Sequence, residues 1–143
     1  MSWKIILTDG LAPISDQALL ASVDLTDRKG ISAEELLDVI GDYDAMIVRG
    51  RTKVTEEVLS AAKNLKVVGR MGVGVDNIDL DAARKHGVTV VNAPVATTVS
   101  VAELTMGLML GLLRNIPKAD AGLKAGKWLK KELVGGELFQ KTL

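Results

Sequence analysis

Two arginines, Arg49 and Arg51, stand two residues apart, directly after the apolar run Ala45-Met46-Ile47-Val48. Guanidinium groups at that spacing can converge on one anion, and arginine grips phosphate or carboxylate through paired N–H donors. Two solvated arginines fit the same spacing equally well. A second candidate is Gly72-Val73-Gly74, again after a strand-like run. A glycine turn at the end of a parallel strand can present backbone N–H groups to a carboxylate. Strand carboxyl ends are also where open α/β sheets take their ligands. The turn does not complete a dinucleotide fingerprint, because Asn77 stands where G-x-G-x-x-G needs its last glycine. A tight turn that simply needs glycine dihedrals is the plainer alternative.

The remaining chemistry-bearing residues are few. The single histidine, His86, precedes Gly87 at the end of a helical pattern, where interaction with the helix dipole accounts for it. Asp9, after the first apolar run, is placed like an acidic residue of a phosphoacceptor pocket. Arg49 occupies the position where such a pocket needs its second carboxylate, and Leu11-Ala12-Pro13 offers no hydroxyl-rich phosphate loop. Without cysteine there is no thiol nucleophile, disulfide or thiolate metal site, and with one histidine no imidazole zinc site. No catalytic residue and no metal ligand is assigned.

The elements that must position these groups alternate along the chain. Apolar strand patterns at 5–7, 45–48, 65–68 and 88–91, with a weaker polar one at 23–26, are separated by helical patterns. Those helices are expected at 15–22 (Ala18, Leu19 and Ala21 on its apolar side), 32–41, 55–62 and 79–86. Ser32 and Glu35 form a capping-box pair ahead of a stripe of Leu36, Leu37 and Ile40 closed by Gly41; Thr55 is expected to cap the next helix. Strands lacking polar alternation are buried on both faces, which in a βαβ series means a parallel sheet under helices. The expectation is a flavodoxin-like, doubly wound five-stranded domain ending near Pro94.

A different pattern follows. One long helix is expected over 99–116, apolar nearly all round, with Pro117 as a kink or boundary. Val99, Ala102, Met106, Met109, Leu110 and Leu113 share one face, and Val101, Leu104, Leu108 and Leu112 lie on the other. Two apolar faces predict self-association through this helix, as a homodimer, and Gly107 and Gly111 would permit close approach. Hydrophobic residues at 48% and charged residues at 25% suit a globular chain. Eighteen basic residues balance eighteen acidic ones with no basic block, which argues against nucleic acid as a partner. No apolar run approaches the roughly 20 residues of a membrane span, so no membrane partner and a cytoplasmic location are expected.

Several segments together resemble the NAD-dependent D-2-hydroxyacid dehydrogenases, most closely those acting on phosphoglycerate. They are Val48-Arg49-Gly50-Arg51-Thr52-Lys53-Val54-Thr55, Gly69-Arg70-Met71-Gly72-Val73-Gly74-Val75-Asp76-Asn77, Val91-Asn92-Ala93-Pro94, Ser100-Val101-Ala102-Glu103, Arg114-Asn115-Ile116-Pro117 and Gly126-Lys127-Trp128. The resemblance runs in order along the whole chain. It implies the amino-terminal portion of an oxidoreductase of serine biosynthesis that oxidises 3-phospho-D-glycerate with NAD. Residues 1–96 would be a substrate-binding domain, 97–125 a linker helix that helps form a dimer, and 126–143 the start of a nucleotide-binding domain. It further implies that the backbone N–H groups of Val73 and Gly74 bind the substrate carboxylate. Arg49 and Arg51 would face its phosphate, and Lys130 would reach a neighbouring subunit's substrate. Val73 and Val101 would lie near the nicotinamide. The glycine fingerprint and the catalytic histidine of the family would come after Leu143, so no NAD is expected to bind this chain alone, and the chain alone is expected to be inactive. Thr97 departs from the asparagine usual in phosphoglycerate members. That departure keeps open another D-2-hydroxyacid dehydrogenase, and a stand-alone binding or scaffolding module is the reading from a different class.

Overall fold

A computed structural model describes residues 2–10 and 17–142. The chain divides into two compact units, Met1–Ala96 and Thr97–Leu143. In the first, β1 (Trp3–Leu7), β2 (Val23–Asp27), β3 (Ala45–Val48), β4 (Val67–Arg70) and β5 (Thr89–Asn92) form one sheet in the order β2-β1-β3-β4-β5. Every pairing is parallel. This is the flavodoxin-like order expected, with the weak polar strand β2 at one edge.

The register explains the core. Ile6, Met46, Val68 and Val90 stand side by side across four strands. The first three of these side chains are fully buried. They pack with Leu36 and Ile40 from the second helical segment, Val58 and Leu59 from the third, and Ala82 and Ala83 from the fourth. The corresponding helices are α2 (Ala33–Val39), α3 (Glu56–Ala61) and α4 (Leu80–Lys85). The first helix, α1 (Gln17–Ser22), is seen from Gln17 onward. Ser15, Asp16, the loop Leu11-Ala12-Pro13 and the side chains of Ala18 and Leu19 fall outside the described residues, and Ala21 is exposed.

Local signals set the helix ends. Ser32 Oγ accepts the N–H of Glu35, whose carboxylate accepts the N–H of Ser32, so both halves of the capping box form. Asp79 caps α4 by accepting the N–H of Ala82, and Gly87 ends it with φ +71°. Other expectations need correction. Gly41 does not close α2; the chain tightens into a 3-10 turn, Ile40–Asp42, and Leu37 is exposed while Leu36 and Ile40 are buried. Thr55 stands at the N-cap of α3 but makes no capping hydrogen bond. Its hydroxyl instead bonds the carboxylate of Glu57, which holds that carboxyl below its usual pKa. β5 is not buried on both faces. It is an edge strand, and Val91 is 50% exposed.

Two strands begin and end later than their apolar runs. Leu65 is buried in the approach to β4, while Arg70 and Asn92 become the last paired residues of β4 and β5. Both shifts carry polar side chains to the carboxyl edge of the sheet, where the site lies.

In the second unit the stretch 97–125, expected as one linker helix, is two helices, and Pro117, expected as a kink or boundary after the 99–116 pattern, lies at the start of the second. α5 (Thr98–Leu113) ends at a break where Asn115 has φ +54°, and α6 (Ile116–Lys124) restarts with Pro117 in its first turn. They bend by 64°. Proline lacks the N–H that a first-turn residue leaves unused, so it starts a helix more readily than it continues one. Residues 126–142 form turns and extended chain folded onto these helices. Gly136 N–H donates to Leu113 O at 2.8 Å and Asn115 Nδ2 to Val134 O at 3.1 Å. No single helix among the described residues is long and apolar enough to cross a membrane.

Candidate functional site

The site is assembled at the carboxyl edge of the sheet, from the ends of β1, β3, β4 and β5. At the end of β1, the Asp9 side chain is only 4% exposed. Its Oδ2 accepts the N–H of Arg49 at 2.7 Å and of Thr52 at 3.3 Å. Its Oδ1 accepts the Thr52 hydroxyl at 2.6 Å and lies 3.2 Å from Arg51 Nη2. Burial alone would raise the Asp9 pKa. The Thr52 hydroxyl, the two N–H groups and the Arg51 charge outweigh burial and hold it below the usual carboxylate value.

Arg51 is therefore partly committed. Its Nη2 also donates to Thr8 O at 2.8 Å and its Nη1 to Ile31 O at 3.1 Å, so this guanidinium ties three loops together. The two arginines do not present a matched pair of free guanidinium groups. Arg49 is exposed, with only its backbone engaged in the hydrogen bonds seen among the described residues.

The glycine turn sits on the neighbouring strand. Val48 pairs with Arg70, and Met71 N–H donates to Val48 O at 2.9 Å, which places Arg49 beside the start of the turn. Two hydrogen bonds to the β5 end orient the turn's peptides. Ala93 N–H donates to Gly72 O at 3.0 Å, and Asn92 Nδ2 donates to Val73 O at 2.7 Å. A trans peptide is planar, so its N–H points away from its C=O. Pinning the carbonyls of Gly72 and Val73 toward β5 therefore turns the N–H groups of Val73 and Gly74 the opposite way. No hydrogen bond among the described residues uses either N–H, and both residues are exposed. Two adjacent outward N–H groups are a seat for an anion.

Arg70 completes this seat. Its Nη1 donates to Met71 O at 3.1 Å, and its Nε is buried without a partner. Gly72 has φ +149°, and a Cβ there would collide with the Arg70 guanidinium. The glycine thus serves both the backbone angle and the close approach of a cation. Arg70 went unassigned in the sequence because the strand was expected to end two residues earlier. A cation two residues before the first glycine of the turn was the available signal.

The other sequence candidates lie elsewhere. His86 Nε2 is 3.1 Å from Glu56 Oε1 and 3.4 Å from Ser60 Oγ, at the end of α4 and thus at the amino end of the sheet. A four-residue strand spans roughly 13 Å, which separates His86 from the glycine turn. Lys130 is exposed in the second unit, where it lines an apolar cleft with Leu123, Trp128 and Leu133. Val101 is 57% exposed on α5, and Thr97 precedes that helix without a capping bond. A separate cleft of about 360 Å³ between α2 and α3 reaches Arg51 and Lys53 but does not include the glycine turn.

The glycine turn lacks the frame of a dinucleotide loop. The helix after the turn starts only at Leu80, and the residue in place of the last glycine, Asn77, is 4% exposed and bonded to Arg49 O and Thr52 O. A pyrophosphate needs a glycine loop running directly into a helix N-terminus.

Comparison with known proteins bears on what such a site serves. The family model for "D-isomer specific 2-hydroxyacid dehydrogenase, catalytic domain" matches residues 5–137. The D-3-phosphoglycerate dehydrogenase of Methanocaldococcus jannaschii is 51% identical over 140 residues, covering 98% of this chain and 27% of its own length. The chain thus spans about a quarter of that relative. Among solved structures, the TT0316 protein of Thermus thermophilus is 29% identical with a TM-score of 0.80, over 94% of this chain and 45% of its own. The NAD+-bound 3-phosphoglycerate dehydrogenase of Entamoeba histolytica is 30% identical with a TM-score of 0.61, over 80% and 40%.

Proposed function

The chain belongs to the D-isomer specific 2-hydroxyacid dehydrogenases, and from that premise we propose that it is the substrate-holding portion of a cytoplasmic phosphoglycerate dehydrogenase. The observation that carries this reading is the pair of outward N–H groups at Val73 and Gly74, flanked by Arg49 and Arg70. A phosphorylated hydroxy acid has an anion at each end. The peptide N–H pair suits the flat carboxylate, and the guanidinium groups suit the phosphate. Arg51 contributes through the donors its loop contacts leave free, and Lys130 would act on the substrate of a second subunit.

NAD would accept the hydride when the whole enzyme is assembled. In this proposal Val73 and Val101 would lie near its nicotinamide end. His86 is bound to Glu56 and Ser60 at the wrong end of the sheet to take the hydroxyl proton. The work of this chain is binding and orientation, which lower the barrier by fixing the reacting carbon in place. On this reading the base and the cofactor fold belong to other parts of the enzyme.

The test is kinetic, in the chain fused to such a nucleotide-binding domain. Arg49→Ala should raise KM for 3-phospho-D-glycerate while kcat changes little. A loss of about 1.5–3 kcal/mol is expected, the worth of one charge-assisted hydrogen bond. An unchanged KM in Arg49→Ala and in Arg70→Ala would show that neither arginine faces the phosphate.

A further inference from the structure

Loop 49–52 is held in a way that its exposed position does not require. Asp9 captures the N–H groups of both Arg49 and Thr52, at 2.7 and 3.3 Å. Asn77 captures the carbonyls of the same two residues, donating from Nδ2 to Arg49 O at 3.0 Å and to Thr52 O at 2.7 Å. Two carbonyl acceptors require the amide nitrogen on this side, so the orientation of the Asn77 side chain follows from its partners. Its Oδ1 is left buried without a partner, a cost accepted for this arrangement. Both ends of a four-residue loop are thus pinned on their donor and their acceptor sides, from strands that flank it in chain order by some 25 to 43 residues.

We infer that Asp9 and Asn77 are positioning residues for Arg49, fixing its backbone so that its guanidinium meets an anion at the glycine turn. This rests on the reading of that turn and Arg49 as an anion site. An exposed arginine on a free loop would lose conformational freedom on binding, whereas one on a pinned backbone has less to lose. The Asp9 charge itself works against an anion nearby. A carboxylate retained there must serve through its hydrogen bonds.

That opposition of sign supplies the experiment. Inorganic phosphate is titrated into the chain, with amide shifts at residues 49–52 and 72–74 as readout, in wild type, Asp9→Ala, Asp9→Asn and Arg49→Ala. Both Asp9 variants remove the charge, and only Asp9→Asn keeps an oxygen for the two N–H groups. Positioning predicts that Asp9→Ala weakens phosphate binding about tenfold, while Asp9→Asn stays within about threefold of wild type. The Asp9→Ala effect should vanish in an Arg49→Ala background, because the two act through one group. Charge removal alone predicts that both Asp9 variants tighten binding equally, and that result overturns the proposal. Thr52→Val, which removes the 2.6 Å hydroxyl bond to Asp9 and the 3.4 Å bond from Arg51 Nη2 but keeps both backbone N–H groups on Asp9, replaces Asp9→Ala if that variant does not fold. It should weaken binding about threefold, and no change would overturn the proposal. If Arg49→Ala leaves phosphate binding intact, the anion-site reading itself fails and the clamp falls with it. If Arg49→Ala weakens binding while Asp9→Ala does not, only the clamp fails.

Discussion

The carboxyl edge of the sheet and helix α5 solve opposite problems. At the sheet edge, polar groups dominate and nearly all of them are partnered: one carboxylate, one amide and one guanidinium tie the loops into a fixed frame. The N–H groups of Val73 and Gly74 are two unpaired neighbours turned away from β5. On α5, apolar groups dominate and none is buried, with Leu112 80% and Val99 68% exposed. The first region is largely tied together, although Thr8 Oγ1, Arg70 Nε and Asn77 Oδ1 stay buried without a partner. The second carries surface that water disfavours, and the natural remedy is another protein surface. In the reading proposed above, the first region would meet a small anion through a fixed polar frame, and the second would meet another chain through exposed apolar surface.

The largest expected effect would come from α5. Five or six side chains of Leu, Val or Met size at roughly 1.5–3 kcal/mol each give on the order of 8–18 kcal/mol gross. Association costs an estimated ~4–15 kcal/mol, so a homodimer through α5 is expected at micromolar concentration. Leu108→Lys, at a residue 59% exposed in the single chain, should convert it to monomer by placing a charge in the contact, at a cost of about 3–5 kcal/mol. Light scattering behind size exclusion reads this. A wild-type monomer would mean that α5 is not the self-association surface, and the comparison between the two regions would lose its second half.

The core gives the next effect and sharpens the contrast. Met46 is fully buried at the centre of the sheet, so Met46→Ala should cost about 2–5 kcal/mol in urea unfolding. Leu112→Ala, on the exposed helix, should change monomer stability by no more than about 0.5 kcal/mol. Equal losses would show that α5 is covered within the single chain.

Acid should separate the regions again. The Asp9 pKa lies below its unfolded value, so the unfolded chain binds more protons in that range. Its contribution is fully present above about pH 4, the unfolded value. It is lost as pH falls through the folded value. Asp44, bonded by Lys66, and Glu56, bonded by Lys85, are lowered too and add the same slope. Asp9→Asn should therefore flatten, without abolishing, the fall in stability below about pH 4. An unaltered acid curve would mean that Asp9 contributes nothing to the frame as a charged group.

The sequence foretold much of this frame and missed what depended on partners far along the chain. Parallel strands, their edge at β2, the Ser32 box and the Asp79–Gly87 helix limits are signals written within a few residues. Their outcomes follow from local geometry. Arg49 and the glycine turn were legible as polar groups after apolar runs. Asp9 was legible in the same way but its partners were not, because Asp9, Asn77 and Asn92 act on backbone groups that only the fold brings near, while Arg70 was missed because β4 runs two residues further than expected. Asn77 stood out in the sequence merely as a missing glycine, yet it is the buried amide that holds Arg49 and Thr52. The boundary at Pro117 was legible, because the apolar pattern stops at Ile116 and proline starts a helix more readily than it continues one, whereas the left-handed turn at Asn115 was not.

The smallest expected effect tests whether local signals deserve that trust. Ser32 and Thr55 stand in equivalent places, before α2 and α3, with extended backbones of φ −72°, ψ 165° and φ −89°, ψ 172°. A sequence rule treats them alike. In the structure Ser32 bonds the N–H of Glu35 and is answered by its carboxylate, while the Thr55 hydroxyl is turned to Glu57. Ser32→Ala removes an acceptor that a helix N–H relies on and should cost about 1 kcal/mol. Thr55→Ala removes only an exposed side-chain pair and should cost a few tenths. Paired urea melts would resolve the difference. Equal losses would mean that Thr55 caps α3 in solution, and that the propensity of the residue, not its partner, sets the worth of a cap.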